Sequence, residues 1–478
     1  MEYRYRVMAV YIAGLFMTII DGTIVNVALP TLAREFDVSS TDIEWVAVSY
    51  LLALAAVIPA AGWLGDRYGT KRMFIVALAV FVVASGLCGA APTLPLLIVA
   101  RVIQGLGAGL ITPIGSAMLF RAFPLDQRST ATVGVLSVAV VAPAIGPILG
   151  GVIVDNIDWR WIFYVNLPIG AVALALAVAW LREERQSEAG RLDIGGLVLS
   201  ATGVSLLIYT LSTGPENGWL SVATLTTGLI GGAAIAALIT LQLRIERPML
   251  QLRLFTNRLF RTVTISASMV YAGFFGWIFV LPLYMQTLRG FSATQSGLVQ
   301  APQAAAIFIV SNLVGRRLYR IVGPRRLMIV GATVTAAATG AFGFADLDTP
   351  LWTIATGSFV RGAAVGMVFV SIQTAVYATV SNADTGRATS VFNTQRQIAF
   401  AFGVALAASV IAAKVNSVGG DAAPAIDRLP AYQWGFFAMG VVMLPAAIAS
   451  WFVNDDDVAA TRGIVSSPDQ VPAARTTT

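Results

Sequence analysis

Long apolar segments recur along the whole 478-residue chain and constrain its fold more than any other feature. A helix needs about 20 consecutive apolar residues to cross the hydrocarbon core of a bilayer. Hydrophobic residues make up 57% of the chain and charged residues 12%, whereas about a quarter of a typical soluble domain is charged. So many apolar segments cannot all be buried in one water-soluble core. The sequence therefore predicts an all-α integral membrane protein.

Fourteen candidate spans follow one another in a six, two, six arrangement. They start near Val7, Ile43, Met73, Leu94, Ala131, Trp161, Asp193, Trp219, Thr262, Ser296, Leu327, Leu351, Thr389 and Tyr432. The first apolar run is too long for a signal-peptide core and is interpreted as a retained span. We expect an N-terminal six-helix bundle over 1–181, a two-helix insertion with flanking loops over 182–261, and a C-terminal six-helix bundle over 262–454. The polar residues 455–478 are expected to form a disordered cytoplasmic tail.

The distribution of Lys and Arg predicts the orientation. With a cytoplasmic N-terminus, five of the 31 basic residues fall in outside loops and three within spans, so 23 lie inside. This bias follows the positive-inside rule. We therefore expect a multi-pass protein of the cytoplasmic membrane with both termini in the cytoplasm. The three arginines within spans are Arg101, Arg361 and Arg396.

The chain contains no histidine and one cysteine, Cys88, which limits its chemistry. Histidine is the commonest general base and metal ligand in proteins. We expect no metal site and no disulfide framework. The net charge of +6 is accounted for by the inside loops, so a nucleic-acid partner is not expected. An enzyme would need a cluster of acidic or metal-binding residues near one face, and we do not expect catalysis.

One sequence pattern joins the second and third spans. It reads Gly62-Trp63-Leu64-Gly65-Asp66-Arg67-Tyr68-Gly69-Thr70-Lys71-Arg72. Glycines allow a tight turn between two helices. The Asp66 carboxylate can sit at a neighbouring helix N-terminus, where the helix dipole favours an anion.

Three further patterns lie in the first half of the chain. The first span contains Asp21-Gly22-Thr23-Ile24-Val25-Asn26-Val27-Ala28-Leu29-Pro30, and the fourth contains Arg101-x-x-Gln104-Gly105-x-Gly107. The fifth span contains Gly146-Pro147-Ile148-Leu149-Gly150-Gly151. A proline flanked by glycines is typical of a kinked, closely packed membrane helix.

These four patterns resemble the motifs of the major facilitator superfamily. The Asp21–Pro30 pattern and the two-span insertion resemble its fourteen-span drug:proton antiporter branch. The resemblance covers essentially the whole chain, although its specific motifs lie in residues 1–170. It implies the major facilitator fold, alternating access between two halves, and transport by a monomer. The proton gradient would be the energy source, without a cofactor.

The resemblance also implies roles for individual residues. A cytoplasmic latch between the halves is assigned to Gly62, Asp66, Arg67, Gly69, Lys71 and Arg72, with Arg387 as the second-half partner. An antiporter motif is assigned to Gly146, Pro147, Gly150 and Gly151, although Ala142 replaces a further family glycine. The second half is degenerate, since Arg320 stands where the second latch would have its acid.

Asp21 is the only acidic residue well within a predicted span, and acids at that depth are usually functional. It lies about 13 Å from the outer end of its span, and Arg101 lies about 10 Å from the outer end of its own span. Desolvation favours a protonated carboxyl group and a nearby guanidinium favours the carboxylate, so such a site can change protonation. Asp21 is our first candidate for proton coupling, with Arg101, Asn26 and Gln104 around it. Glu44 is the next candidate.

Other polar residues within spans are candidates for lining a central cavity. They are Asn26, Gln104, Arg361, Gln373, Asn393, Arg396 and Gln397. The ninth span is rich in aromatic residues, which can form an apolar substrate wall or pack within the helix bundle.

The leading functional hypothesis is a proton-coupled antiporter that exports lipophilic drugs or toxic compounds. Its expected partners are a small lipophilic substrate, protons and membrane lipids. Because the three arginines within spans outnumber the single deep acid, an exporter of lipids or anionic, siderophore-like amphiphiles is the alternative. A membrane receptor or enzyme is the alternative from a different class.

Overall fold

The computed structural model describes residues 2–38, 40–185, 193–245, 248, 250–291, 293–381, 384–420 and 423–462. Throughout these residues the regular secondary structure is helical, without a strand. The all-α fold class predicted from the sequence is therefore confirmed.

The helices fall into three consecutive groups. The first half contains α1 (Tyr3–Glu35), α2 (Ser40–Val57), α3 (Ala61–Tyr68), α4 (Thr70–Ala90), α5 (Leu94–Ala122), α6 (Arg128–Asn156), α7 (Trp161–Tyr164) and α8 (Asn166–Trp180). The insertion contains α9 (Ile194–Asn217) and α10 (Val222–Arg244). The second half contains α11 (Arg258–Leu283), α12 (Ala293–Leu313), α13 (Tyr319–Val322), α14 (Pro324–Ala341), α15 (Leu351–Ala375), α16 (Thr385–Ser417) and α17 (Ala425–Trp451).

Thirteen helical segments of the described chain are long and apolar enough to cross a membrane. Helix α6 occupies the position of the predicted fifth span but is not among the thirteen. Its 29 residues span about 43 Å at the usual helical rise, which is enough to cross a bilayer. The total of fourteen spans stays a prediction.

Glycines allow the helices of the first half to pack closely. Gly105 lies against the backbone of Tyr50, and Gly109 lies against the backbone of Leu54, both in α2. Gly107 faces the other way, against the backbone of Phe81 in α4. A Cβ atom at any of the three would overlap its neighbour, so small residues set the positions of α2 and α4 on α5.

The two halves meet along a seam in which α6 packs on α12 and α15, and α16 packs on α3 and α5. Hydrogen bonds cross the seam at the end of the bundle that carries α3, which we call the latch end. There the Ser129 hydroxyl donates to the carbonyl of Gly315 at 2.8 Å. The Arg128 Nη1 donates to the carbonyl of Tyr377 at 2.7 Å. The seam is therefore closed at the latch end in this structure.

The insertion contacts both halves. Helix α9 packs on α2 of the first half and on α16 of the second half. The Ser205 hydroxyl donates to the carbonyl of Leu52 at 3.2 Å, and the Trp219 indole donates to the Ser409 hydroxyl at 2.7 Å. The two extra helices therefore bridge the seam rather than stand beside one half.

The predicted disorder of the tail is wrong for its first residues. Asp456–Arg462 form a 3₁₀ helix, which we call the C-terminal strap. Its Val458 is fully buried, and its Thr461 hydroxyl hydrogen-bonds the Tyr319 hydroxyl at 2.9 Å. The polar composition of the tail did not reveal these partners, which lie more than 130 positions earlier. Residues 463–478 lie outside the described part of the chain.

Candidate functional site

A charged pair is buried at the centre of the first half. The Arg101 Nη1 lies 2.6 Å from the Asp21 Oδ2, and both side chains are at most 1% exposed. Asp21 comes from α1 and Arg101 from α5, so packing of these two helices brings the two predicted residues together.

Two amide side chains complete the hydrogen bonding of Asp21. The Gln104 Nε2 donates to the Asp21 Oδ1 at 2.8 Å, and the Asn166 Nδ2 donates to the same oxygen at 2.9 Å. The Gln104 Oε1 accepts from Arg101 at 2.8 Å. A buried charged pair is stable only when its remaining hydrogen-bonding groups are satisfied in this way.

Arg101 connects the pair to helix α2. Its Nε donates to the carbonyl of Val46 at 3.0 Å. Its guanidinium lies 4.1 Å from the centre of the Tyr50 ring, a cation–π contact. If Asp21 takes up a proton, the ion pair is lost and Arg101 keeps its contacts with Gln104 and with α2. Protonation of Asp21 would therefore weaken the contact between α1 and α5 and leave the contact between α5 and α2.

The structure places Asp21, Arg101 and Gln104 in this cluster, as predicted. It adds Asn166 and Ser85, which the sequence did not suggest. Asn166, at the start of α8, also donates to the Ser85 hydroxyl at 3.1 Å. Asn166 and Ser85 belong to no recognisable sequence pattern. An isolated asparagine in a predicted span is the one sequence feature that could have indicated Asn166. Asn26 and Glu44 lie in α1 and α2, but their side chains are outside what the structure describes.

The predicted antiporter motif packs against the Asp21 segment of α1. A Cβ atom at Gly146 would overlap the side chain of Thr23, and one at Gly150 would contact Ile24. Gly151 has open space around its Cα. The side chain of Pro147 is outside the described part. The glycines therefore let α6 approach α1 within three residues of the buried carboxylate.

The predicted latch joins the two halves through Asp66. Its Oδ1 lies 2.9 Å from the Arg121 Nη2 in its own half, and its Oδ2 lies 3.9 Å from the Arg387 Nε in the second half. The Gly62 amide donates to the Ser390 hydroxyl at 2.7 Å. Arg387 is thus the residue of the second half that lies within ion-pair distance of Asp66, and Arg121 of the first half is the nearer partner.

The sequence predicted a turn between two helices for the latch segment, but most of the segment is helical. Gly62 and Asp66 lie within helix α3, and only Gly69, with φ +99°, makes the turn. Gly62 instead allows contact with the backbone of Gly386, where a Cβ atom would overlap. Helical packing across the seam explains this glycine better than turn formation does.

The two basic residues after the turn, Lys71 and Arg72, make contacts within the first half. The Lys71 Nζ donates to the carbonyl of Val178 at 2.8 Å, and the Arg72 amide donates to the Glu183 Oε2 at 3.2 Å. Arg67 is exposed. Lys71 and Arg72 therefore bind α8 and the segment after it, whereas Asp66 makes the contact across the seam.

A small cavity of about 30 Å³ lies on the seam. Its lining includes Tyr11 and Phe120 from the first half, and Gln373, Asn393 and Arg396 from the second half. Three of the predicted cavity residues, Gln373, Asn393 and Arg396, therefore lie at a cavity, whereas Gln397 is half-buried outside its lining.

Arg361 does not line the seam cavity. It is fully buried, and it donates to the Gln303 Oε1 at 2.6 Å and to the Thr339 hydroxyl at 2.9 Å. Its guanidinium lies 4.0 Å from the centre of the Trp277 ring. Arg361 is thus enclosed by neutral acceptors and aromatic rings within the second half.

The aromatic residues of the ninth predicted span pack mainly with one another and with neighbouring helices. The ring centres of Phe274 and Phe369 are 5.0 Å apart, and those of Phe275 and Phe400 are 4.5 Å apart. Tyr271 and Phe274 are buried. Of the two roles considered for these residues, packing is the one this structure displays.

Two helical halves joined by a seam, with a buried charged cluster in one half and a latch at one end, define a multi-pass membrane transporter. The chain belongs to the Major Facilitator Superfamily, whose family profile matches residues 11–404 and 263–471.

The comparisons with individual proteins agree with this family. The chain is 34% identical to the multidrug export protein EmrB of Escherichia coli, over 82% of this chain and 77% of that protein. It is 33% identical to the multidrug resistance protein Stp of Mycobacterium tuberculosis, over 84% of this chain and 75% of that protein. Its fold matches the human organic anion transporter MFSD10 with a TM-score of 0.69 and 14% identity, over 94% of this chain and all of the other.

Proposed function

We propose that the chain is a proton-coupled antiporter that exports lipophilic drugs or toxic compounds across the cytoplasmic membrane by alternating access. The single observation that carries the proposal is the buried Asp21–Arg101 pair with its two amide partners. The similarity to two proteins named for multidrug export or resistance supports the same substrate class. The latch end faces the cytoplasm in this proposal, because the basic loops lie there.

The mechanism follows from the contacts of Arg101. Deprotonated Asp21 in α1 forms an ion pair with Arg101 in α5. Protonation of Asp21 breaks this pair, and Arg101 keeps its α2 partners, Val46 and Tyr50. Helix α2 is followed by α3, which carries Asp66 of the latch. Protonation and substrate each bias the same two-state equilibrium, as coupling requires. A proton that crosses 100 mV supplies about 2.3 kcal/mol to this exchange.

The proposal includes the remaining expectations from the sequence. The proton gradient is the only energy source, no cofactor takes part, and the monomer is the transporting unit. Both termini lie in the cytoplasm. Export of an anionic or lipid-like amphiphile is the alternative substrate class.

Proton flux in liposomes tests the role of Asp21. Wild-type protein and Asp21→Asn are reconstituted with a pH dye inside, and the membrane potential is clamped. Tetraphenylphosphonium and tetraphenylborate are added separately to each preparation under an imposed pH gradient. We expect substrate-dependent proton movement in wild type and at least a tenfold lower rate in Asp21→Asn.

Glu35→Gln provides the matched control, because Glu35 is an exposed acid at the end of the same helix. It is expected to behave as wild type. Normal coupling in folded Asp21→Asn would show that Asp21 has a structural role only. Absence of proton movement with both ions in wild type would contradict antiport.

A further inference from the structure

The three arginines within the predicted spans differ in how their charges are compensated. Arg101 is paired with a carboxylate. Arg361 is enclosed by neutral acceptors and the Trp277 ring. Arg396 has no acidic partner within ion-pair distance among the described residues. It is also the only one of the three that lines the seam cavity.

The surroundings of Arg396 contain polar neutral groups and aromatic rings. Tyr11 of the first half and Tyr377 of the second half line the same cavity as Arg396. Asn393 and Gln373 add two amide groups to the lining. No acidic side chain is among the described residues that line this cavity.

Arg396 is half-buried, and a cation at membrane depth without an acidic partner is costly, since neutral dipoles replace only part of its hydration. A negatively charged ligand in the cavity would supply the missing charge and form charge-assisted hydrogen bonds with the guanidinium. The rings of Tyr11, Phe120 and Tyr377 supply apolar and aromatic walls. The cavity thus combines one positive charge with a lipophilic lining.

We propose that the seam cavity selects lipophilic anions, including deprotonated weak acids, and that Arg396 is the residue that recognises their charge. This inference rests on the proposed function insofar as the substrate passes along the seam. The cavity of about 30 Å³ is far smaller than a drug-sized site, for which about 300 Å³ is the usual lower limit. Binding therefore requires that the halves part, and Arg396 is placed where they part.

Two ions of nearly equal size and opposite charge test the proposal. The affinities of tetraphenylborate and tetraphenylphosphonium are measured on the purified protein in detergent, without any gradient. The ratio of the two affinities is compared between variants, because differences in partition into detergent then cancel. We expect Arg396→Gln to reduce the anion-to-cation ratio about tenfold or more, whereas Arg396→Lys retains most of it.

Arg316→Gln is the matched control, since Arg316 is an exposed arginine of the same half and lies outside the cavity. It should leave the ratio unchanged. An unchanged ratio in folded Arg396→Gln, or a lack of tetraphenylborate binding in wild type, would overturn the proposal. Loss of proton coupling in the liposome experiment would instead reject antiport and leave this binding result unaffected.

Discussion

Asp21 and Arg101 are stabilised in the interior because they pair with each other and hydrogen-bond neighbouring polar groups. Gln104 and Asn166 donate to the carboxylate, and the Val46 carbonyl accepts from the guanidinium. Removing one partner of a buried pair typically costs about 3–5 kcal/mol, because an uncompensated charge remains. Protonation of Asp21 removes the charge without removing the side chain. The same residues can therefore serve both stability and coupling.

Asn166→Ala is expected to destabilise the protein. The substitution removes a donor to the Asp21 carboxylate and leaves the Ser85 oxygen without that donor. Loss of a hydrogen bond to a charged group costs about 1.5–3 kcal/mol. A lower midpoint of thermal unfolding in detergent would report it. Asn156→Ala is the control, because the exposed Asn156 amide donates to a carbonyl of its own helix; equal midpoints for the two variants would contradict the prediction.

At the scale of elements, two segments that look peripheral in the sequence hold the halves together. Helix α9 touches α2 and α16. The C-terminal strap packs on α13 and α15 of the second half and on the 3₁₀ turn Leu125–Gln127 of the first half. Any motion that parts the halves at the latch end must therefore move or release the strap.

Truncation after Asn454 is expected to lower the midpoint of thermal unfolding. It removes the buried Val458 and the Thr461 hydroxyl that pairs with Tyr319. Burial of a valine side chain contributes about 1.5 kcal/mol or more, and an unsatisfied hydroxyl adds to the loss. Truncation after Arg462 keeps the strap and should leave the midpoint unchanged. If both truncations unfold at the same temperature, the strap does not stabilise the protein.

At the scale of the whole molecule, the closed latch end implies that transport requires the seam to open. The hydroxyls of Thr132 in α6 and Thr374 in α15 lie 3.4 Å apart across it. Neighbouring contacts between Ser129 and Gly315 and between Gly62 and Ser390 close the same end. Release of these contacts would expose the cavity that holds Arg396.

A disulfide across the seam should therefore stop transport. We expect the pair Thr132→Cys and Thr374→Cys, in a Cys88→Ser background, to form a disulfide under mild oxidation, because the two side chains already meet. Substrate-dependent proton flux should fall at least tenfold on oxidation and return with reductant. Each single-cysteine variant should be insensitive to oxidation. Normal flux in the cross-linked protein would show that the halves do not part at this position.

The sequence by itself indicated the membrane class, predicted two halves with an insertion, and singled out Asp21 and Arg101 as charged residues within spans. Hydropathy, charge bias and motif spacing are local properties of the chain, so they can be read without a fold. The family resemblance implied Arg387 as a latch partner, and that role stays a prediction.

Only the tertiary structure decided which distant polar groups meet. Asn166 reaches Asp21 across 145 positions, Thr461 reaches Tyr319 across 142, and Arg361 is enclosed while Arg396 faces the seam. These outcomes depend on the rotation of each helix about its axis and on how closely glycines let helices approach. Hydropathy is nearly uniform around a membrane helix, so the sequence carries little information about that rotation.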